Sequence, residues 1–268
     1  SVPEPVVETK PRVAFIGAIL VLVVVVVVAL VAISREGSAP PSSVSPNAVG
    51  KIDASTAELQ ASIPTAGAGA GPLTWADGSL WVANTISGTV ARIDPATNRV
   101  SHSVPTEGAP TGLAAGEGSV WVLNGLDGEV QAIDPRTNRV TATIGIPEGS
   151  GGIAVGAGYV WVTNSLDVTV TKVDPVGGDV VDTIPLGPPG SGSPESIAVG
   201  GGAVWVGDGL VPAMWKIDAA TDEVVANPGL RGVPTAIAVS EDGKVWIASY
   251  DEGLLTVLDP TSLAPTTY

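Results

Sequence analysis

The chain has no cysteine and a single histidine, His102. The first absence excludes disulfides, thiolate metal sites and cysteine nucleophiles. The second removes histidine-based metal clusters and leaves one imidazole as a candidate base. Positive charge is also scarce: 12 lysines and arginines stand against 27 aspartates and glutamates, a net charge of -15. Up to Glu36 the charges cancel, Lys10, Arg12 and Arg35 against Glu4, Glu8 and Glu36, so the whole excess lies after that point. Such a surface repels nucleic acid and anionic lipid headgroups, and it suits cations, basic peptides or plain solubility. Familiar chemical motifs are missing too. Gly67–Pro72, "GAGAGP", is too short for a P-loop, and Gly187–Pro194, "GPPGSGSP", contains no Gly-x-Ser-x-Gly elbow. There is no paired-histidine metal motif and no EF-hand spacing, so no cofactor and no metal ligand set is implied.

One long hydrophobic run is present. Val13–Ile33, "VAFIGAILVLVVVVVVALVAI", contains no charged residue. As a helix it would span about 31 Å, matching a bilayer core of about 30 Å. A cleaved signal peptide is the rival, but its apolar region is usually shorter. Lys10 and Arg12 precede the run, and Arg35 follows it beside Glu36. The positive-inside rule then places residues 1–12 in the cytoplasm, 13–33 as a single-pass transmembrane helix of the cell membrane, and the rest outside the cytoplasm. Residues 34–47 are rich in Ser and Pro and read as a stalk. The chain opens on Ser1 with "SVPEPVVETKPR", which suggests a piece of a longer polypeptide; removal of an initiator Met is the alternative.

The remainder, 48–268, repeats itself. Trp81, Trp121, Trp161, Trp205 and Trp246 recur at spacings of 40, 40, 44 and 41. Asp53, Asp94, Asp134, Asp174, Asp218 and Asp259 recur at spacings of 41, 40, 40, 44 and 41. Two markers with one period indicate a repeat architecture. The unit after Pro110 reads as four short strands, "TGLAAG", "SVWVLN", "GEVQAID" and "RVTATI", separated by turn signals. Four strands in about 40 residues describe a propeller blade. The expected fold is therefore all-β, a propeller of about five to six four-stranded blades, truncated or open, preceded by one transmembrane helix. The N-terminal pair, Val49–Ile63, supplies only a third and a fourth strand.

The repeat assigns mechanical roles. Each Trp should pack between blades. The Gly three before it should provide a positive-φ turn. Asp94, Asp134 and Asp174 should hold turns through their side chains, with Asn98 tolerating the left-handed region. Asn84, Asn124 and Asn164 should tie the loop that leaves the second strand.

"VWVxN", a third strand ending "IDPxTNxV", and "GIAVG" together resemble bacterial YVTN-type or NHL-like β-propeller repeats, of the superfamily that includes the streptogramin lyases. The resemblance covers about 48–268 and concerns the fold, which hosts many activities. With its anchor and stalk, the chain also resembles the extracytoplasmic sensors of actinobacterial receptor Ser/Thr kinases and membrane-bound regulators. Streptogramin lyases are expected to use His and Glu around magnesium. His102, in "VSHSV" on a fourth strand, stands on the exposed outer edge, so that set does not carry over.

What remains is one rim, made by the loops from second to third strands and from fourth to next first strands. It carries the candidate ligand-binding residues Asp127, Asp167, Asp208, Asp251 and Glu252, with Glu107, Glu129, Glu148 and Glu195. The one long insertion, Leu186–Ser196, lies there too, and insertions mark binding faces. These features describe a membrane-anchored sensor module without enzymatic activity, binding an extracytoplasmic ligand or protein complementary to negative charge. The alternative is a lyase-like or metal-dependent propeller enzyme that uses rim carboxylates.

Overall fold

The computed structural model describes residues 41–268, so the expected span Val13–Ile33, the 1–12 segment and the first half of the stalk lie outside the described residues. Among the described residues no helix is long and apolar enough to cross a membrane.

The fold is a β-propeller. A two-stranded sheet, β1 (Ala48–Ile52) and β2 (Leu59–Pro64), comes first. Five antiparallel four-stranded sheets follow, each taking its strands in chain order. They are β3 (Ala70–Ala76), β4 (Ser79–Asn84), β5 (Thr89–Asp94) and β6 (Arg99–Pro105); then β7 (Gly112–Gly116), β8 (Ser119–Asn124), β9 (Glu129–Asp134) and β10 (Arg139–Gly145). The third sheet is β11 (Ser150–Gly156), β12 (Tyr159–Asn164), β13 (Thr169–Val173) and β14 (Val180–Pro185). The fourth is β15 (Pro194–Gly200), β16 (Ala203–Asp208), β17 (Met214–Asp218) and β18 (Val224–Ala226), and the fifth is β19 (Ala236–Val239), β20 (Val245–Ser249), β21 (Leu254–Leu258) and β22 (Pro265–Thr267). The blade count inferred from the spacing thus becomes five full blades and one pair of outer strands.

The core lies between blades. Trp81, Trp121, Trp161 and Trp205 are at most 1% exposed, and each packs forward onto the next blade. Trp121, for example, shares a cluster with Ile153, Val160 and Val162 of the third blade. Each of these four indole N–H groups donates to the carbonyl five residues earlier, at the end of its own blade's first strand, Ala76, Gly116, Gly156 or Gly200. Burying such a ring is favourable only because its one polar atom finds a partner. Trp246 of the fifth blade, which donates to Ser240 Oγ, is only half-buried, and no four-stranded sheet follows it in the described chain.

The turns between third and fourth strands are uniform. Asp53, Asp94, Asp134, Asp174, Asp218 and Asp259 each accept the backbone N–H two residues on, at 2.8–3.0 Å. Those hydrogen bonds hold the carboxyls of Asp94, Asp134 and Asp218 below the ordinary aspartate range. Four residues after each Asp the backbone enters the left-handed region, at Asn98 (φ 54°) and Asn138 (φ 57°) among others. In the first four full blades the turns between first and second strands carry two positive φ values, as at Asp77 (φ 48°) and Gly78 (φ 68°), which matches the twist of a tight hairpin.

A basic residue two before the turn Asp links consecutive blades, a feature the spacing did not reveal. The Arg92 guanidinium lies 5.2 Å from the Trp81 ring centroid and donates to Asn138 Oδ1 and the Pro135 carbonyl in the next blade's turn. Lys172 sits 4.9 Å from the Trp161 ring and pairs with Asp222 at 2.7 Å. Lys216 lies 5.2 Å from Trp205 and donates to the Pro260 carbonyl at 2.8 Å. Each cation crosses its own Trp, adding cation–π attraction to an interblade hydrogen bond. In the second blade the position is Ala132.

Candidate functional site

Because the blades are meanders, every second-to-third loop and every fourth-to-first loop emerges at the same end. Backbone hydrogen bonds join the two kinds, Thr106 N to the Gly88 carbonyl and Ile146 N to the Gly128 carbonyl. Asp127, Asp167, Asp251 and Glu252 are exposed on this loop rim, as are Glu107, Glu148 and Glu195. Of the nine described lysines and arginines, only Arg231 stands there; the others lie toward the turns at the opposite ends of the strands.

Asp208 is placed differently from the other expected ligand-binding residues. It is 1% exposed, and its carboxylate is used internally. Oδ1 accepts the Leu210 and Val211 N–H groups, and Oδ2 accepts the Ser193 N–H. Ser193 Oγ in turn donates to Glu195 Oε1. Asp208 therefore fastens the Leu186–Ser196 insertion to the rim. Beneath the insertion's start lies Val168, fully buried at φ 56° where the first two blades have Gly88 and Gly128. A β-branched residue in this region is strained.

The residue three after each Trp is buried at the base of its loop, and its role varies. Asn84 donates to the Thr65 carbonyl and Thr89 Oγ1. Asn164 donates to the Glu148 carbonyl and accepts the Asp167 N–H. Asn124 has no partner at either amide atom, because the Asp127 N–H goes to the Asn124 backbone carbonyl. The niche around it is narrow: a Cβ on Gly108 would collide with the Asp127 carboxylate and lie 3.2 Å from the Asn124 amide carbon.

A second feature of the rim is apolar, and the sequence pattern contains it although a search for charged residues passes over it. Five residues after each of the first four repeat Trp stands an aliphatic residue at the loop tip: Ile86, Leu126, Leu166 and Leu210, exposed to 80, 75, 67 and 71%. The loop rim is thus acidic and aliphatic at once. The opposite rim has a hollow of about 640 Å³ lined by Trp75, Gly116, Pro135 and Arg136.

No protein-family profile and no curated relative matches this sequence. Solved structures do match. The virginiamycin B lyase from Staphylococcus aureus aligns with a TM-score of 0.72 and 16% identity, covering 83% of this chain and 77% of that one. Streptogramin B lyases share this fold. A second such lyase aligns with a TM-score of 0.71 and 14% identity over 83% of this chain and 76% of its own. A catalytically inactive histidine-to-alanine variant of the S. aureus enzyme with quinupristin gives a TM-score of 0.70 and 17% identity, over 83% of this chain and 77% of its own.

These matches correct the expectation that the chain is not an enzyme, since the proteins it resembles in shape are lyases. The physical reason is the fold itself. A propeller assembles one rim from loops about 40 residues apart, so a site there leaves no local motif. The magnesium set implied by the resemblance does not fit the described residues: His102 is exposed on the outer strand β6, and nowhere among them do three His, Cys, Asp or Glu side chains converge.

Proposed function

We propose that the chain is a lyase-like propeller that binds its substrate on the loop rim and uses rim carboxylates as its acid–base groups. The observation that carries this is the coincidence of the streptogramin B lyase fold with a rim where exposed carboxylates gather and nearly all described cations are excluded. A lyase breaks a bond by elimination. A base removes a proton from the carbon beside that bond, the electron pair forms the new double bond, and the leaving atom departs with a proton from an acid. A carboxylate on Asp127, Asp167, Asp251 or Glu252 fits the first step, and the protonated group left behind fits the last. Binding precedes either step, and on this reading the rim serves as a capture surface for its ligand. The uncharged run Val13–Ile33, with Lys10 and Arg12 before it, would tether this surface outside the cytoplasm.

The test is direct. Virginiamycin B and quinupristin are incubated with the full chain, and the products are separated by chromatography, with binding measured in parallel by calorimetry. Turnover that falls at least 100-fold in one of Asp127→Asn, Asp167→Asn, Asp251→Asn or Glu252→Gln supports the proposal and identifies the base. Turnover undiminished in all four variants overturns the role of the rim carboxylates. Absence of both turnover and binding overturns the substrate class.

A further inference from the structure

We infer that the loop rim also docks a basic amphipathic peptide segment of a partner protein, an inference that rests on the rim being the working face. Three observations carry it. The first is the row of aliphatic tips, Ile86, Leu126, Leu166 and Leu210, at equivalent positions in four consecutive blades and each at least 67% exposed. A single exposed Leu needs no explanation, but the same exposure at one repeat position in four blades forms a track. Packed sheets stand about 10 Å apart, so the four tips extend over roughly 30 Å of arc. That is the length of about 20 helical residues, too long for one small molecule to touch throughout.

The second observation is charge. Asp127 and Asp167 directly follow the tips Leu126 and Leu166, and Asp251 stands at the corresponding tip position of the fifth blade. Of the described cations only Arg231 is on this face. An occupant must therefore present aliphatic side chains together with ammonium or guanidinium groups. A neutral apolar partner would leave these carboxylates desolvated and unpaired at the contact, and an anionic one would be repelled. An anionic membrane surface is disfavoured for the same reason.

The third is the Asn124–Asp127 niche. Asn124 is fully buried with both amide atoms unpartnered, beside the exposed Asp127 carboxylate and at the foot of the Leu126 tip. An unsatisfied buried amide is costly unless a ligand or water meets it. Gly108 closes the niche on its inner side, so a lysine or arginine would meet the Asp127 carboxylate from solvent, above the unpartnered Asn124 amide. This marks the second blade as the point where one cation is anchored, while the neighbouring tips hold the aliphatic flank.

The probe is a synthetic peptide long enough to follow that arc as a helix, alternating Leu and Lys at helical spacing, with a Leu/Glu peptide of the same pattern as control. Binding to the full chain is read by fluorescence anisotropy at two salt concentrations. The Leu/Lys peptide should bind and weaken with salt, since exposed charges are screened beyond about 8–10 Å; the Leu/Glu peptide should not bind. The triple variant Ile86→Ser, Leu126→Ser, Leu166→Ser should bind at least 10-fold more weakly, and Asp127→Asn should lower both affinity and salt dependence. Melting temperatures of the variants are measured alongside, because these side chains are exposed and the fold should persist. Equal binding of the two peptides, or an unchanged affinity in the serine variant, overturns the inference. The lyase reading is scored separately on virginiamycin B turnover, so either can fail while the other stands.

Discussion

The two rims of this propeller are built from the same blades yet serve opposite ends. On the turn rim every blade repeats one device: an Asp that accepts a backbone N–H, a left-handed residue four positions later, and in most blades a cation reaching across a buried Trp to the neighbour. On the loop rim the corresponding positions diverge. Asn164 is paired at both amide atoms, Asn84 at its nitrogen alone and Asn124 at neither, Asp208 clasps an insertion, and the tips point aliphatic groups at solvent. Uniformity marks where the fold stores its stability, and divergence marks where it is free to bind. Four experiments can break or sharpen that contrast.

The largest effect should come from the layer that both rims share. Trp121→Ala removes a buried ring and its hydrogen bond to the Gly116 carbonyl, so it should cost about 3–5 kcal/mol in denaturant unfolding. Trp246→Ala, at the half-buried equivalent, should cost clearly less; equal losses would mean that forward packing onto the next blade is not what stabilises these rings.

Next is the turn-rim clamp. Lys172 is 7% exposed and pairs with Asp222, which is 22% exposed. Lys172→Ala leaves that carboxylate facing an emptied, partly buried site and should cost about 3 kcal/mol. Lys172→Met, which restores the packing over Trp161, should recover part of that loss. An alanine variant that loses no more stability than an ordinary surface substitution would remove the clamp from the account of interblade stability.

A smaller effect is expected from acid. The carboxyls of Asp53, Asp94, Asp134, Asp218 and Asp259 are held below their ordinary range, chiefly by backbone and hydroxyl hydrogen bonds within their turns. A lowered folded value means the contribution is fully present above the unfolded aspartate value, about 4, and is lost as pH falls through the folded values. The melting temperature should therefore decline from about pH 4 downward. Asp94→Asn and Asp134→Asn together should make that decline shallower, and an unchanged slope would show that the turns do not set acid stability.

The smallest effect should be on the loop rim. Asp127→Asn, Asp167→Asn and Asp251→Asn should each change stability by no more than about 0.5 kcal/mol, as exposed substitutions do. Asp208→Asn should behave unlike them and destabilise, because its carboxylate receives three backbone N–H groups. If the three exposed variants destabilise as much as Asp208→Asn, the loop rim is structural after all.

Much of the architecture was legible because a strand repeat writes its own punctuation. Period-2 alternation in "SVWVLN" matched β8 residue for residue, and the left-handed residues at Asn98 and Asn138 follow from what an Asp-Pro turn demands. The site was legible only in part. Exposed carboxylates could be assigned to one rim by counting strands, but Asp208 stands three residues after Trp205, the repeat position of the buried Asn84, Asn124 and Asn164, and it turned inward as they do. The interblade cations were hidden for a related reason: Arg92 and Asn138 lie in different blades and meet only when those blades stack.

By itself the sequence determined the blades, their order and their turns, since these depend on residues within a few positions of one another and on φ values that few residue types tolerate. Only the tertiary structure decided which polar groups face inward, which cations bridge blades, and that aliphatic tips and carboxylates share one surface. Those outcomes depend on neighbours a full repeat away, and burial, which governs the cost of every unpaired polar group, does not exist until the blades pack.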